Sequence, residues 1–177
     1  NIVLISAAFY LFFITVKDFF SKKFKNYPQK ISHFGFSLLI LSILLNSIFS
    51  SEVITNLKVG EKFSFKEESI TFESIENTES KNYRSIIGHF KIEDKQKNSI
   101  QLKPELRIYD QPFTITSEAD IKTTLYYDKF LVMNLVKGNE YFNVRYQFKP
   151  FMIWIWISTL LLIIGGIFSL FKRTYEK

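Results

Sequence analysis

Residues 151–171 read FMIWIWISTLLLIIGGIFSLF, and residues 31–51 read ISHFGFSLLILSILLNSIFSS. Each run has 21 residues and no Asp, Glu, Lys or Arg. At about 1.5 Å per residue each helix would reach about 31 Å, which matches a hydrocarbon core of ~30 Å. These two runs decide the fold class: a membrane protein with transmembrane α-helices. A third apolar run, Asn1 to Val16, reaches only about 24 Å by the same rise. The chain begins with Asn and not Met. The expectation is therefore a truncated transmembrane helix over 1–16, at the start of the C-terminal piece of a larger protein. A signal peptide does not fit, because no basic segment precedes the run and the lysines from Lys17 to Lys30 follow it.

The net charge of +6 has a telling distribution. Residues 51–149 hold 15 basic and 15 acidic residues, so the whole excess lies beside the apolar runs. Lys17, Lys22, Lys23, Lys25 and Lys30 follow the first run, and Lys172, Arg173 and Lys177 follow the last. A nucleic-acid binder would carry such an excess as a patch on its folded domain, so no nucleic-acid partner is expected. Basic residues in short segments mark the cytoplasmic side. The expected order is thus a basic cytoplasmic loop at 17–30, a transmembrane helix at 31–51, an extracytoplasmic domain at 52–149, a transmembrane helix at 150–171 and a cytoplasmic tail at 172–177. Trp154 and Trp156 fall at the outer interface of the last helix, where aromatic belts sit. Pro150 is expected to open that helix, at a position that needs no N–H donor.

The segment between the spans reads as antiparallel β. Phe63 and Phe65 alternate with Lys62, Ser64 and Lys66. Ile70 and Phe72 alternate as well, and Ile75 follows with one shift of phase. Phe142, Val144, Tyr146 and Phe148 alternate with Asn143, Arg145 and Gln147, the best period-two run in the chain. Phe130 to Val136 precedes it across Gly138-Asn139, a hairpin turn pair. Six to eight strands in a small sandwich or barrel are expected. There is no internal repeat.

The chemistry-bearing residues are few. The absence of Cys excludes disulfides, thiolate metal sites and Cys nucleophiles. No Ser/His/acid pattern or phosphate-cradling loop occurs, so no catalytic residue is assigned. Glu67-Glu68 and Glu93-Asp94 read as solvated loop charges. Of the two histidines, His89 lies in a strand-like run and reads as a partly exposed strand residue. His33 lies about one turn inside the second span, three residues past Lys30. Two readings stand for it. It is an interfacial histidine whose ring reaches headgroups or a neighbouring helix, or it is an axial ligand to haem iron, which imidazole suits. Gly35 would then admit a flat macrocycle near the backbone, or serve close helix packing. One His cannot make a bis-His site, so the partner ligand would come from elsewhere.

Four stretches carry a family resemblance: Ser-His-Phe-Gly at 32–35; Asn-Tyr-Arg at 82–84 with Gly88 and Phe90; Leu-Lys-Pro-Glu-Leu-Arg-Ile-Tyr at 102–109 with Ser-Glu-Ala-Asp-Ile at 117–121; and Val-Arg-Tyr-Gln-Phe-Lys-Pro-Phe at 144–151, running into Trp154, Trp156 and Gly165-Gly166. In this order the chain resembles the C-terminal part of cytochrome c maturation protein F, the membrane subunit of a cytochrome c haem lyase. The resemblance implies covalent attachment of haem to the C-x-x-C-H motif of apocytochrome c. It implies haem transport and handling, with a haem chaperone and further complex subunits as partners. It also implies a transmembrane haem b, for which His33 would be one of two axial ligands. A bacterial inner membrane with the β domain in the periplasm is implied, and a mitochondrial inner membrane is the other setting.

The departures matter. Ser80-Lys81 stand where the family has Gly-Pro, Ser117 stands for its Thr, and His89 matches no family histidine. The family's Trp-rich haem-handling segment and its delivery histidines are absent from these residues. The chain alone therefore lacks the complete active site, as a fragment or as one product of a split gene. Arg107 and Arg145 are candidates for binding propionates or partner acids; inter-strand ion pairs are the other reading. The competing function is a membrane-anchored structural or sensory module with an outer β domain and no cofactor. A transporter fragment is disfavoured, because the helices carry no other buried charge.

Overall fold

The computed structural model describes residues 2–21, 26–136, 138 and 140–175. Lys22, Lys23, Lys25, Asn139 and the extreme C-terminal Glu176-Lys177 lie outside the described residues. The chain divides into two compact units. One holds the three helices together with Thr124–Asp128, and the other holds Ser51–Thr123 and Lys129–Phe148.

The helices are α1 (Ile2–Phe20), α2 (Tyr27–Phe49) and α3 (Met152–Tyr175). All three are long and apolar enough to cross a membrane. Helix α1 continues past Val16 through Lys17 and Asp18. Its 19 residues therefore reach about 28 Å, close to a full span. Helix α2 starts four residues before the uncharged run, with Pro28 in its first turn, where a missing N–H costs nothing. Pro150 ends the last β-strand rather than opening α3. Phe151, at φ +61°, stands between that strand and α3.

Small residues bring α2 and α3 together. A Cβ on Gly165 would lie 2.8 Å from the Ser32 backbone nitrogen and 3.0 Å from the Pro28 carbonyl oxygen. A Cβ on Gly35 would meet Leu161 Cβ at 3.0 Å and the Ser158 carbonyl at 3.1 Å. Glycine at such positions lets backbones approach where no apolar driving force separates lipid from helix. Helix α1 joins α2 through a buried hydroxyl pair, Thr15 Oγ1 to Ser37 Oγ at 2.5 Å. Phe34 packs tilted against Phe12 and Phe19, with ring centroids 5.9 and 5.5 Å apart.

The second unit is an antiparallel sandwich. Its strands are β1 (Ser51–Leu57), β2 (Lys62–Phe65), β3 (Glu68–Glu79), β4 (Arg84–Asp94), β5 (Ser99–Leu102), β6 (Glu105–Asp110), β7 (Phe113–Glu118), β8 (Asp120–Thr123), β9 (Tyr127–Leu135) and β10 (Phe142–Pro150). Ten strands among the described residues exceed the six to eight expected, in part because β5 and β8 have four residues each and are too short to show a period. One sheet runs β1-β10-β9-β8 and the other β2-β3-β4-β6-β7. Strand β4 is long enough to serve two partners on one edge. Residues 84–87 pair with β6, and 90–93 pair with β5. At the junction the Gly88 N–H donates to the Pro104 carbonyl at 3.0 Å.

The phase shift read between Phe72 and Ile75 is a β-bulge at Glu73, where Phe72 pairs with Phe90 but Ser74 pairs with His89. The alternation in β10 also holds, since Val144 and Tyr146 are fully buried. They join Ile70, Phe72, Phe90, Ile92, Leu102, Leu106, Leu131 and Met133 in a core drawn from both sheets. Phe72 and Phe90 stack at 4.3 Å, 9° from parallel. A side chain on Gly88 would run into Phe90 and Met133 at 2.7 and 2.9 Å, so glycine keeps the two sheets in contact there.

Candidate functional site

The first turns of α2 sort their side chains by helical pitch. Lys30, Phe34 and Ser37 point at α1, and Ser32 and Gly35 at α3. Gly35 is thereby accounted for as close helix packing. Lys30 is buried, and its ammonium donates to the carbonyls of Phe19 (3.4 Å) and Ser21 at the end of α1. A cation there satisfies carbonyls that the helix leaves open and complements the negative end of its dipole.

His33 falls outside both contact stripes, and its side chain is exposed. Among the described residues no group hydrogen-bonds its imidazole. It borders a cavity of about 130 Å³ shared with Thr15, Asp18, Asn26, Gln29 and Lys30. That volume has room for several waters, each needing about 10–15 Å³ on the same measure, and is too small for a macrocycle. Any large planar group would have to lie against the open side of the ring. Toward the other end of the same helix pair, Leu4, Ala7, Ala8, Leu11, Ile40, Ile43 and Leu44 line an apolar groove of about 410 Å³. No group of three or more His, Cys, Asp or Glu able to hold a metal occurs among the described residues. The chemistry on offer at His33 is one imidazole donor facing outward from a membrane helix, with polar groups on one side.

The remaining candidates are structural. His89 Nε2 lies 3.1 Å from Glu76 Oε2 on the neighbouring strand. Arg145 meets Glu52 across β1 and β10 at 2.8 Å. Arg107 meets Glu105 at 2.9 Å and lies over the Tyr83 ring at 5.0 Å. The guanidinium pulls the Glu105 carboxyl below its usual range, and Glu105 in turn raises Arg107. Both arginines thus engage acids of their own domain. Of the acidic pairs, Glu67 is exposed and bridges to Lys95 at 2.6 Å. Glu93 pairs with Lys91 at 2.7 Å, and Asp94 caps its own turn by accepting from the Gln96 and Asn98 amides.

Glu68 corrects the solvated-loop expectation. It accepts from the Tyr146 hydroxyl at 2.5 Å and pairs with Lys129 at 2.5 Å; the Glu68 and Lys129 side chains are 17% and 9% exposed. This three-residue network joins the two sheets. Its sequence signal is Asp128-Lys129 at the start of a largely apolar strand.

A sandwich interrupting a set of membrane-spanning helices, with one outward histidine at a helix start, defines a membrane-anchored β-domain protein. The model of the family described as the CcmF C-terminal beta-sandwich matches residues 48–150, and the chain belongs to that family. It is 29% identical over 148 residues to the cytochrome c-type biogenesis protein CcmF of Pseudomonas fluorescens, covering 84% of this chain and 22% of that one. It is 23% identical over 178 residues to the cytochrome c-type biogenesis protein NrfE of Haemophilus influenzae, covering 99% of this chain and 28% of the relative. The chain thus spans about a quarter of the length of these relatives. A solved structure of the cytochrome c heme lyase CcmF shares the fold, with a TM-score of 0.66 at 16% identity, over 88% of this chain and 27% of that one.

Proposed function

We propose that this chain is the C-terminal portion of a membrane haem lyase component in cytochrome c maturation, and that His33 supplies one axial ligand to a transmembrane haem b. The observation that carries the reading is the position of His33: an imidazole without a hydrogen-bond partner among the described residues, on the outward face of a membrane helix. Ionisable groups at membrane depth are costly and are kept for function. Imidazole is a fitting donor for iron. The outward face supports a site completed from outside these residues, including the second ligand.

The haem, when bound, supplies one-electron chemistry tuned by its axial ligands and burial. The chain's own residues do the rest. His33 would hold the iron through a ring nitrogen. Lys30, with its ammonium fixed on the end of α1, keeps α2 in place beneath it. Gly35 and Gly165 keep α2 against α3. The β domain is assigned no acid–base role and serves as scaffold or docking surface, in the periplasm of a bacterium or the equivalent space outside a mitochondrial inner membrane. The working partners are the rest of the lyase and its complex subunits, a haem chaperone and the apocytochrome whose C-x-x-C-H thiols receive the haem.

The test is a reduced-minus-oxidised absorption spectrum of the purified full-length parent protein, with and without His33→Ala. The proposal expects a low-spin b-type spectrum that is lost or turned high-spin in the variant. A parent without haem, or a spectrum indifferent to the change, refutes it and leaves the membrane-anchored module.

A further inference from the structure

The hairpin joining β8 to β9 turns on two residues, Leu125 and Tyr126. The turn is closed by the Thr124 N–H donating to the Tyr127 carbonyl at 2.9 Å. The Thr124 hydroxyl tightens it, accepting from the Tyr126 and Tyr127 amides at 3.3 and 3.1 Å. Two-residue hairpin tips in water favour Gly, Asn and Asp, and otherwise carry polar side chains. The β2–β3 tip here is Lys66-Glu67, and the β4–β5 tip begins Lys95-Gln96. Leu125 and Tyr126 break that pattern and are 60% and 70% exposed.

Both tip carbonyls are fastened to the start of α3. The Phe151 N–H donates to the Tyr126 carbonyl at 2.9 Å, and Trp154 Nε1 donates to the Leu125 carbonyl at 2.8 Å. The tip belongs to the same compact unit as the helices. Helix α3 is a candidate span from Met152, so its first turn lies where a span meets headgroups. Trp156, two residues on, is 63% exposed. Bonding the tip's backbone to this turn leaves its two side chains facing outward at the depth of an aromatic belt. A leucine reaches acyl chains there, and a tyrosine keeps its ring apolar and its hydroxyl wet.

We infer that the Leu125-Tyr126 tip is a membrane anchor that inserts into the lipid interface beside the start of α3. The partner is the bilayer, and the surface is continuous with the span itself. The inference is independent of haem. A hairpin that enters lipid saves two large side chains from water, at a reduced backbone cost because both tip carbonyls are already bonded.

The Cys-free sequence allows single-site labelling. Leu125→Cys, Tyr126→Cys and, as an exposed control in the β domain, Val59→Cys would each be labelled with an environment-sensitive nitrobenzoxadiazole in the full chain. Each is reconstituted in phosphatidylethanolamine–phosphatidylglycerol vesicles, with and without a shallow doxyl-labelled phosphatidylcholine. The expected result is blue-shifted emission and loss of fluorescence to the doxyl lipid at 125 and 126, with neither at 59. Red emission quenched by aqueous iodide at 125 and 126 overturns the inference in favour of a water-facing tip. Blue emission quenched by neither agent overturns it in favour of a protein surface covering the tip.

Discussion

Gly165 and Gly166 are neighbours on α3 with opposite surroundings, and replacing each by alanine isolates helix packing from helix propensity. A Cβ on Gly166 would meet nothing within 4 Å, so only propensity acts there. Alanine is preferred over glycine in a helix by about 1 kcal/mol, and Gly166→Ala is expected to stabilise by up to that amount. At Gly165 the same gain is set against overlap. The new carbon would lie 2.8 Å from the Ser32 nitrogen and 3.0 Å from the Pro28 carbonyl, both backbone atoms that cannot rotate away. Overpacking of this kind costs about 1–3 kcal/mol. The propensity gain is common to both variants and cancels in their difference. Gly165→Ala should therefore be less stable than Gly166→Ala by about 1–3 kcal/mol, roughly 5- to 150-fold in the unfolding equilibrium. Removing the Ser32 hydroxyl with Ser32→Ala should not rescue Gly165→Ala, because the backbone contacts remain. The assay is denaturation of the full chain in mixed micelles, followed by the fluorescence of Trp154 and Trp156, both on α3. Equal stability of the two variants, or rescue by Ser32→Ala, would refute the close-approach argument.

Two further outcomes concern the β domain and are read by amide exchange and NMR on the intact chain in detergent. Lys129→Met removes the ion-pair partner of half-buried Glu68 and should lower the exchange stability of β3 and β9 by about 1–3 kcal/mol. Adding Glu68→Leu removes the orphaned charge and should restore most of that loss; a double variant as weak as the single one contradicts the assignment of the pair as a buried charge clamp. Asp94 is held below the usual carboxylate range, first by the Asn98 side-chain amide and then by the Asn98 and Gln96 backbone N–H groups. A lowered folded-state pKa gives stabilisation that is complete above the ordinary value of about 3.9 and lost as pH falls through the lowered one. Carbon-detected titration should place the Asp94 midpoint below that ordinary value, with protection at Gln96 and Asn98 failing through the same interval. A midpoint at or above it would show that the turn does not depend on the carboxylate.

The parts of this fold that could be read from sequence are those where one physical effect dominates. Uncharged runs of membrane length announced α2 and α3, and strict alternation announced β10 from Phe142 to Phe148. Even the bulge at Glu73 left its mark as a slip in phase between Phe72 and Ile75. Where effects compete, the sequence is silent. Lys17 and Asp18 look like a loop, yet α1 continues through them, since a helix can carry charges at its end. Pro150 suits a helix start and a strand end equally, and pairing with β1 through Phe148 decided for the strand. Glu68 looks solvated in one dimension and is drawn inward only because β9 and β10 bring Lys129 and Tyr146 to it. His33 could be picked out as a residue type, but its outward face could not, because that depends on which neighbours Ser32, Phe34 and Gly35 choose.

Ser51 pairs with Phe148, so the chain enters and leaves the sandwich on two hydrogen-bonded strands. Helices α2 and α3 would otherwise have to find each other across the 99 residues from 51 to 149. Closing a flexible loop of that length costs ~4 kcal/mol by the logarithmic law, before its constant term. Once β1 and β10 have zipped, that entropy is already spent, and the two helices begin their search as the arms of a short hairpin. The reverse also holds, since docked helices deliver the two strand ends side by side. Each unit thus acts as a template for the other, and a lesion that delays either one should slow the assembly of both.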